Sequence, residues 1–556
     1  MTSPSPSEQP PPSLRGEWPW VAAVAAWFGV VFVLTGAWRD VPVIDDWTYA
    51  WSVEQLLRHG QLRVLDWSAV YPLGHAVWGA GWSAAFGFSF VTLRVSTLAL
   101  AAVACGATYF LLRELQTPPR VAMLGVATLA VSPVFVLLSS SFMTDVPFVA
   151  FTLLALLGYV RAIQRGDARW VWWAGLWACL SCLDRQVGVL TPVAAVPLLV
   201  WPPQGVRRRS VVSALVVTWG AMIVGAVAIG LSIGATGEMR KLADALGWLQ
   251  SLPLRSYAAY TFYVLTSVAF YVLPALLPLA LHREAWRRGA LAIAAVVAGV
   301  AVFGAAGEVP VPLRPNGTWT LRELGGARQL VAGEFPLGDL PWLVPVLRAA
   351  GLFALAVAGL AVWRAARAIR GGVALRTLDP RTPVLVYLVA YLALVNVLWF
   401  FNDRYVLVLL PVAIVLGLSS LPSGRAGVRL GGALAAAYAV VAIVGTRDTL
   451  RFNDEVRAAR QALVDGGVAL ADIDAGYVWN GWTLYAHPEN LHPGQTADDV
   501  PWITARRPLP YRIAKAPTDG YDVVRRIEWV GDFAWPGPDH LVVLRRRETP
   551  AAPVIR

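Results

Sequence analysis

Residues 18–50 read WPWVAAVAAWFGVVFVLTGAWRDVPVIDDWTYA. As far as Trp38 the run carries no charged residue, and it has the ~20 residues a helix needs to cross a ~30 Å hydrocarbon core. It is too long for the apolar core of a signal peptide and has no clear small-residue cleavage site, so it reads as an uncleaved first span. Just beyond it stand two adjacent acids, Asp45-Asp46. After them apolar residues recur at helical spacing (Trp47, Ala50, Trp51, Val53, Leu56, Leu57), with Glu54, Gln55 and Arg58 on the other face. That pattern predicts a helix lying in the membrane interface.

The rest of the chain repeats the first reading. Of 556 residues 57% are hydrophobic and 15% charged, which excludes an ordinary soluble enzyme. Apolar runs of membrane length or near it fall at 18–38, 90–112, 121–139, 146–162, 170–184, 187–201, 211–233, 260–281, 289–306, 341–363, 383–401, 405–420 and 428–446. The fold class is therefore an all-α polytopic membrane protein of about 13 transmembrane helices. The stretch Tyr71–Phe90, broken by His75 and several Gly, reads as a second surface helix. The 26 Trp residues suit headgroup interfaces. No internal repeat is visible, which weighs against a transporter built on inverted halves.

The net charge of +11 is a topology signal rather than a nucleic-acid footprint. Lys occurs only at Lys241 and Lys515. Arg gathers in alternate short loops, at Arg113 and Arg120, Arg161, Arg165 and Arg169, Arg207–Arg209, Arg283, Arg287 and Arg288, Arg364–Arg381, and Arg425 and Arg429. The positive-inside rule makes these loops cytoplasmic. The N-terminus is then inside, and the first loop (39–89), residues 140–145, 185–186, 234–259, 307–340 and 402–404 and the C-terminus are outside. Residues 1–17, rich in Pro and Ser, read as a disordered cytoplasmic tail. Residues 18–446 form the membrane domain. Residues 447–556, more charged and without long apolar runs, predict a small extracytoplasmic α/β domain with a helix at 452–465 and strands at 476–479, 521–530 and 540–545.

The acids and bases at the outer ends of spans are the candidates for chemistry. Asp45 and Asp46 read equally as a helix cap with a dipole partner or as a base beside a cavity. Asp145, in Ser141-Phe142-Met143-Thr144-Asp145-Val146-Pro147, lies on the same side of the membrane; its plain reading is an N-cap followed by an early Pro. Arg185 and Arg404 each end or open a span, with Asp184 and Asp403 as alternative ion-pair partners. His75, Tyr49 and Tyr71 lie in the first loop; a lone His is more often structural. Cys179-x-x-Cys182, inside an apolar run, reads as packing rather than a metal or redox pair. Asp474–Trp482 is dense in aromatic and amide groups, which suits sugar binding or a small core alike.

Asp45-Asp46-Trp47-Thr48-Tyr49-Ala50 resembles the Asp-acid-x-x-Tyr-Ala motif in the first external loop of the GT-C membrane glycosyltransferases. The similarity is greatest to the protein O-mannosyltransferase-like and aminoarabinose-transferase-like enzymes of family 39/83 type. Met143-Thr144-Asp145-Val146-Pro147, Leu183-Asp184-Arg185-Gln186-Val187-Gly188 and Asn402-Asp403-Arg404-Tyr405 continue the resemblance over about residues 18–420. It implies a GT-C fold in a bacterial inner membrane and a polyprenyl-phosphate sugar as donor. The acceptor would be a cell-envelope glycan, lipid or protein, and a single displacement would invert the sugar carbon. It places Asp45 as the base for the acceptor and Asp145 as the second acid. Asp46 stands where Glu is usual. The Glu-Lys pair of the aminoarabinose enzymes is replaced by Val70-Tyr71-Pro72-Leu73-Gly74-His75, so neither that activity nor a metal site carries over. Arg185 and Arg404 are then candidates for the departing lipid phosphate. The lipid-linked sugar is the donor substrate, no cofactor is certain, a divalent metal stays open though no residue pattern supports one, and the partners are membrane lipids, donor and acceptor. The competing reading is a lipid-linked sugar flippase or secondary transporter, which ionisable residues near the bilayer midplane would favour.

Overall fold

The computed structural model describes residues 14–234, 254–281, 342–372, 378–397, 400–419, 425–500, 508–528 and 540–547, with short pieces at 236–237, 286, 294, 296, 298–299, 311–313 and 316–320. Most of the expected span at 289–306, residues 1–13 and most of the loops 234–259 and 307–340 lie outside them. The protein is a multi-pass helical membrane protein with, among the described residues, an antiparallel pair of strands, β1 (Asn316–Thr320) and β2 (Phe400–Phe401), and one four-stranded mixed sheet.

Among the described residues seven helices are long and apolar enough to cross a membrane. They are α1 (Leu14–Thr35), α4 (Phe90–Glu114), α7 (Asp145–Arg165), α10 (Arg208–Ile233), α11 (Leu254–Ala280), α12 (Leu343–Gly372) and α15 (Arg425–Asp465). The pair α5 (Pro119–Ala130) and α6 (Pro133–Ser139), bent by 66°, is apolar enough to be an eighth span or a re-entrant loop. Pro133 explains the break: its ring disfavours helical backbone at Ser132 and it has no N–H to continue the ladder. Four further runs expected to span form shorter helices. These are α8 (Arg169–Asp184), the 3-10 segment Gln186–Ala195 leading into α9 (Val196–Val200), α13 (Thr382–Val397) and α14 (Leu409–Leu418).

Two helices lie between α1 and α4. In α2 (Asp46–His59) Trp47, Ala50 and Val53 are buried as the amphipathic spacing predicts, whereas Glu54, expected on the polar face, is buried as well and Leu57, expected on the apolar face, is exposed. It stops at Gly60, whose φ of 64° is a left-handed C-terminal cap that glycine adopts without a Cβ clash. The second surface helix is α3 (Leu73–Phe86). It packs closely at Gly79, where a Cβ would come within 2.5 Å of the Phe142 ring.

The Arg-rich ends are tied together by ion pairs. Glu114, closing α4, accepts from Arg161 Nε at 2.7 Å and Arg165 Nη2 at 2.9 Å. Both guanidinium groups lie over the Trp170 ring.

The tail follows α15 without a break at 447. Its sheet has the order β3-β4-β6-β5, with β3 (Ile473–Asp474), β4 (Tyr511–Ala514), β5 (Tyr521–Glu528) and β6 (His540–Arg546). Strand β3 is parallel to β4 and the other pairs are antiparallel. Strands β5 and β6 fall where the sequence predicts them. Residues 476–479 do not form a strand; they are the short helix α16 (Gly476–Asn480). Side chains capture the backbone there: Asp474 Oδ1 accepts from Gly476 N, and Asn480 Oδ1 accepts from Ala475 N at 2.9 Å. Such local bonds favour a turn over a sheet ladder. The apolar core of the tail includes Ala37, Val41 and Val43, so the start of the first loop is part of it.

Candidate active site

The turn Val43–Asp46 sets the site. Ile44 has a φ of 55°, a left-handed conformation that is costly for a β-branched residue. It persists because both flanks are fastened. Asp46 is buried; its Oδ1 accepts from Val43 N at 2.8 Å and its Oδ2 from Phe142 N at 3.3 Å. Beneath it the fully buried Arg94 donates to the carbonyls of Ala37, Arg39, Val41 and Ser140, at 2.6–2.9 Å. Burial pushes the Asp46 carboxyl up to about 7, against the opposing pull of Arg94 and the two backbone N–H groups. Asp46 thus fastens the turn and points away from its neighbour Asp45.

Replacing Arg94 by methionine strands four carbonyls and leaves Asp46 without its cation. The expected cost is ~3–5 kcal/mol, the usual result of removing one partner of a buried charge network. Thermal unfolding in lipid nanodiscs reads it as a large fall in melting temperature. Arg94→Lys should recover little, since an ammonium cannot fork to four acceptors. A wild-type melting curve for Arg94→Met would refute the fastening role.

Asp45 stands at the N-cap position of α2 but makes no side-chain cap bond. Its Oδ2 accepts from Arg404 Nη1 at 2.8 Å, and its Oδ1 accepts from the Tyr477 hydroxyl. Arg404 comes from a 3-10 turn, Asp403–Val406, capped by the Asn402 side chain. Asp403 Oδ2 accepts from the Tyr271 hydroxyl at 3.2 Å. Arg185, where α8 gives way to the 3-10 segment, pairs through Nη1 with Asp145 Oδ1. The guanidinium groups of Arg185 and Arg404 both lie 5.6 Å from the Tyr405 ring. Tyr49, buried on α2, feels all four charges, Arg404, Arg185, Asp45 and Asp145. Burial above all pushes its phenol up to about 12, so it is a neutral hydrogen-bonding group.

One cluster therefore holds Asp45, Tyr49, Asp145, Arg185 and Arg404, with Tyr405 and Tyr477 in addition. Several of its polar atoms are buried without a hydrogen-bond partner: Asp145 Oδ2, Arg404 Nε and both carboxylate oxygens of Asp184. Asp184 lies against Gly74, where a Cβ would stand 2.8 Å from its Oδ1.

His75 and Tyr71 make their hydrogen bonds outside this cluster, and the His75 ring packs edge-on against Tyr49 at 6.0 Å. The His75 ring stacks on Phe142 at 3.8 Å and its Nε2 meets the Phe142 carbonyl at 3.1 Å. Burial lowers it to about 4, which leaves it neutral and structural. The Tyr71 hydroxyl donates to the Gly234 carbonyl, beside an apolar cavity that Cys179 and Cys182 also line. Both of these thiols are free. Among the described residues no three His, Cys, Asp or Glu side chains gather as a metal site would.

Tyr477, absent from the sequence-based site, is brought in by the tail. Trp67 Nε1 donates to its hydroxyl at 2.8 Å, and Trp47 packs edge-on against both Tyr477 and Tyr485. His487 Nε2 lies 3.3 Å from Glu54 of α2, and its Nδ1 is 2.9 Å from Glu489. Burial opposes the charge on His487, but the two acids outweigh it and hold the imidazole above its ordinary value. A raised histidine stabilises most below its unfolded value of ~6.5, and the gain disappears as pH rises through the folded value. Amide protection across 476–490, taken relative to the intrinsic base-catalysed exchange rate, should therefore fall above about pH 6.5, and Glu54→Gln should flatten that step. Wild-type protection that does not change with pH would remove His487 from this role.

Residues 72–231 match the family described as dolichyl-phosphate-mannose-protein mannosyltransferase. This agrees with the GT-C resemblance of the motifs, and supports a membrane glycosyltransferase. No curated protein matches the chain. Among solved structures, the Pmt1-Pmt2 protein O-mannosyltransferase complex of S. cerevisiae bound to the sugar donor is 20% identical, with a TM-score of 0.32. That match covers 40% of this chain and about a third (33%) of the yeast chain. ArnT from Cupriavidus metallidurans bound to undecaprenyl phosphate is 15% identical over 97% of this chain and 100% of its own, with a TM-score of 0.40. The oligosaccharyltransferase AglB from Archaeoglobus fulgidus, with an inhibitory peptide and a dolichol-phosphate, is 12% identical over 90% of this chain and 70% of its own, with a TM-score of 0.44.

Proposed function

We propose that this membrane glycosyltransferase moves a sugar from a polyprenyl-phosphate donor to a hydroxyl of a cell-envelope glycan, lipid or protein, on the outer face of a bacterial inner membrane. The observation that carries the reading is the contact of Asp45 with Arg404 across 359 residues of sequence, beside the pair Asp145–Arg185. Acids and guanidinium groups gathered at one membrane boundary suit a reaction that moves a proton and releases a phosphate.

The donor's lipid chain fits an apolar groove of about 930 Å³ between α3, α4, α7 and α8, lined by Trp78, Trp82, Phe86 and Trp177 among others. The groove reaches Gly74 and Leu183, next to Asp184 and Arg185. Its phosphate then meets Arg185 and Arg404, whose planar forks suit phosphate oxygens. Asp45 takes the acceptor's proton as its oxygen bonds the anomeric carbon. The carbon–oxygen bond to phosphate breaks, and the electron pair leaves with the lipid phosphate toward the guanidinium groups. A single displacement inverts the anomeric carbon. The alternation of Arg-rich loops supports a cytoplasmic N-terminus and an outer tail under the positive-inside rule.

The test is a panel of polyprenyl-phosphate sugars presented to purified protein in lipid nanodiscs with an envelope extract as acceptor. Release of free polyprenyl phosphate is the expected result and identifies the donor. Intact protein that releases none from any member of the panel would contradict the reading.

A further inference from the structure

Asp45 already holds a hydroxyl. Trp67 N–H donates to the Tyr477 oxygen, which leaves the phenol's own proton directed at Asp45 Oδ1. Arg404 occupies the other carboxylate oxygen. An alcohol with its O–H aimed at the base, on the oxygen that Arg404 leaves open, is the arrangement an acceptor needs. Burial and the neighbouring Asp45 charge hold the Tyr477 phenol well above its ordinary range, so it stays a donor and does not ionise.

The segment carrying Tyr477 is irregular at both ends and is anchored in the tail by the buried Trp479 and Asn480. It is a five-residue helix entered through Gly476, with φ 79°, and left through a π-type turn at Gly481–Tyr485. Isolated π turns of this kind are local irregularities that often mark functional sites. At Gly481 the Trp47 ring packs so closely that a Cβ would lie 2.4 Å from it. The segment thus rests on α2 through aromatic faces and the Glu54–His487 contact.

We propose that Tyr477 is the stand-in for the acceptor: its hydroxyl occupies the acceptor site on Asp45 until an acceptor displaces it, which places acceptor selection in the Gly476–Tyr485 segment. This rests on Asp45 being the base. The gain for the reaction is protection of the donor. With Tyr477 in place, water is kept from the position where it would give its proton to Asp45, bond the anomeric carbon and expel the lipid phosphate.

The experiment compares wild type, Tyr477→Phe and Trp67→Phe in nanodiscs containing the polyprenyl-phosphate sugar that the wild type turns over. Each is assayed without acceptor for free sugar and with acceptor for transfer. Phenylalanine keeps the ring on Trp47 and removes only the hydroxyl. Acceptor-free hydrolysis by Tyr477→Phe should rise roughly ten- to hundredfold, the worth of one hydrogen bond to a charged group, and the acceptor KM should fall. Trp67→Phe, which frees the phenol from its fixed orientation, should shift both in the same direction by less. Unchanged hydrolysis in both variants, or a loss of transfer at unchanged acceptor KM, would overturn the proposal. An Asp45→Asn protein that hydrolyses and transfers like wild type would instead remove the base on which the proposal rests, whatever Tyr477 does.

Discussion

Asp45→Asn is expected to lower sugar transfer by roughly 10²–10⁴-fold, the range a general base contributes. The amide has the shape of the carboxylate and one oxygen, so a single donor, Arg404 or Tyr477, can still be received. It has no charge and no affinity for an acceptor proton. Folding should survive, because the Asp45 side chain is 23% exposed and makes no helix-cap bond, while the buried Asp46 and Arg94 hold the turn. Initial rates and melting curves on the same preparation separate the two effects. Transfer within about tenfold of wild type, with the fold intact, would exclude Asp45 as the base.

Arg185→Gln is expected to lower turnover by roughly 10²–10³-fold, as removal of one donor to a developing anion does. It also leaves Asp145 buried, at 3% exposure, without its cation. A marked fall in melting temperature should accompany the loss of rate. The double variant Arg185→Gln with Asp145→Asn removes both charges. It should recover much of the stability, since the stranded charge is gone, and none of the activity. If the double variant regained activity along with stability, the pair would be structural. The lipid phosphate would then need another cation, and Arg404 would be left alone in that role.

The helical membrane architecture is legible because apolar length is a local property of sequence. The face of α2 is legible only in part: Trp47, Ala50 and Val53 are buried as the spacing predicts, but Glu54 is buried too and Leu57 is exposed. Lengths fail where geometry tightens: the run 187–201 reads as a span but starts as a 3-10 segment containing Pro192. The order of Asp45, Asp145, Arg185 and Arg404 along the chain is visible from their places at span ends, and the fold brings them into one cluster. What separates Asp45 from Asp46 is not visible. The two are identical side chains, and only the left-handed backbone at Ile44 turns one toward Arg404 and the other toward Phe142. Tyr477 is 432 residues from its partner, so no spacing rule reaches it. Its segment stood out only by aromatic density. There the strand expectation failed because Asp474 and Asn480 bind the backbone that a neighbouring strand would have used.

The central claim is that Asp45 drives sugar transfer from a lipid phosphate at the membrane boundary. Its most direct test is the release of free polyprenyl phosphate by wild type and Asp45→Asn side by side in nanodiscs, with donor and acceptor extract present. Release by the wild type and its near-complete loss in the variant, at equal folded protein, is the predicted result. Equal release by both, or none by either, would contradict it.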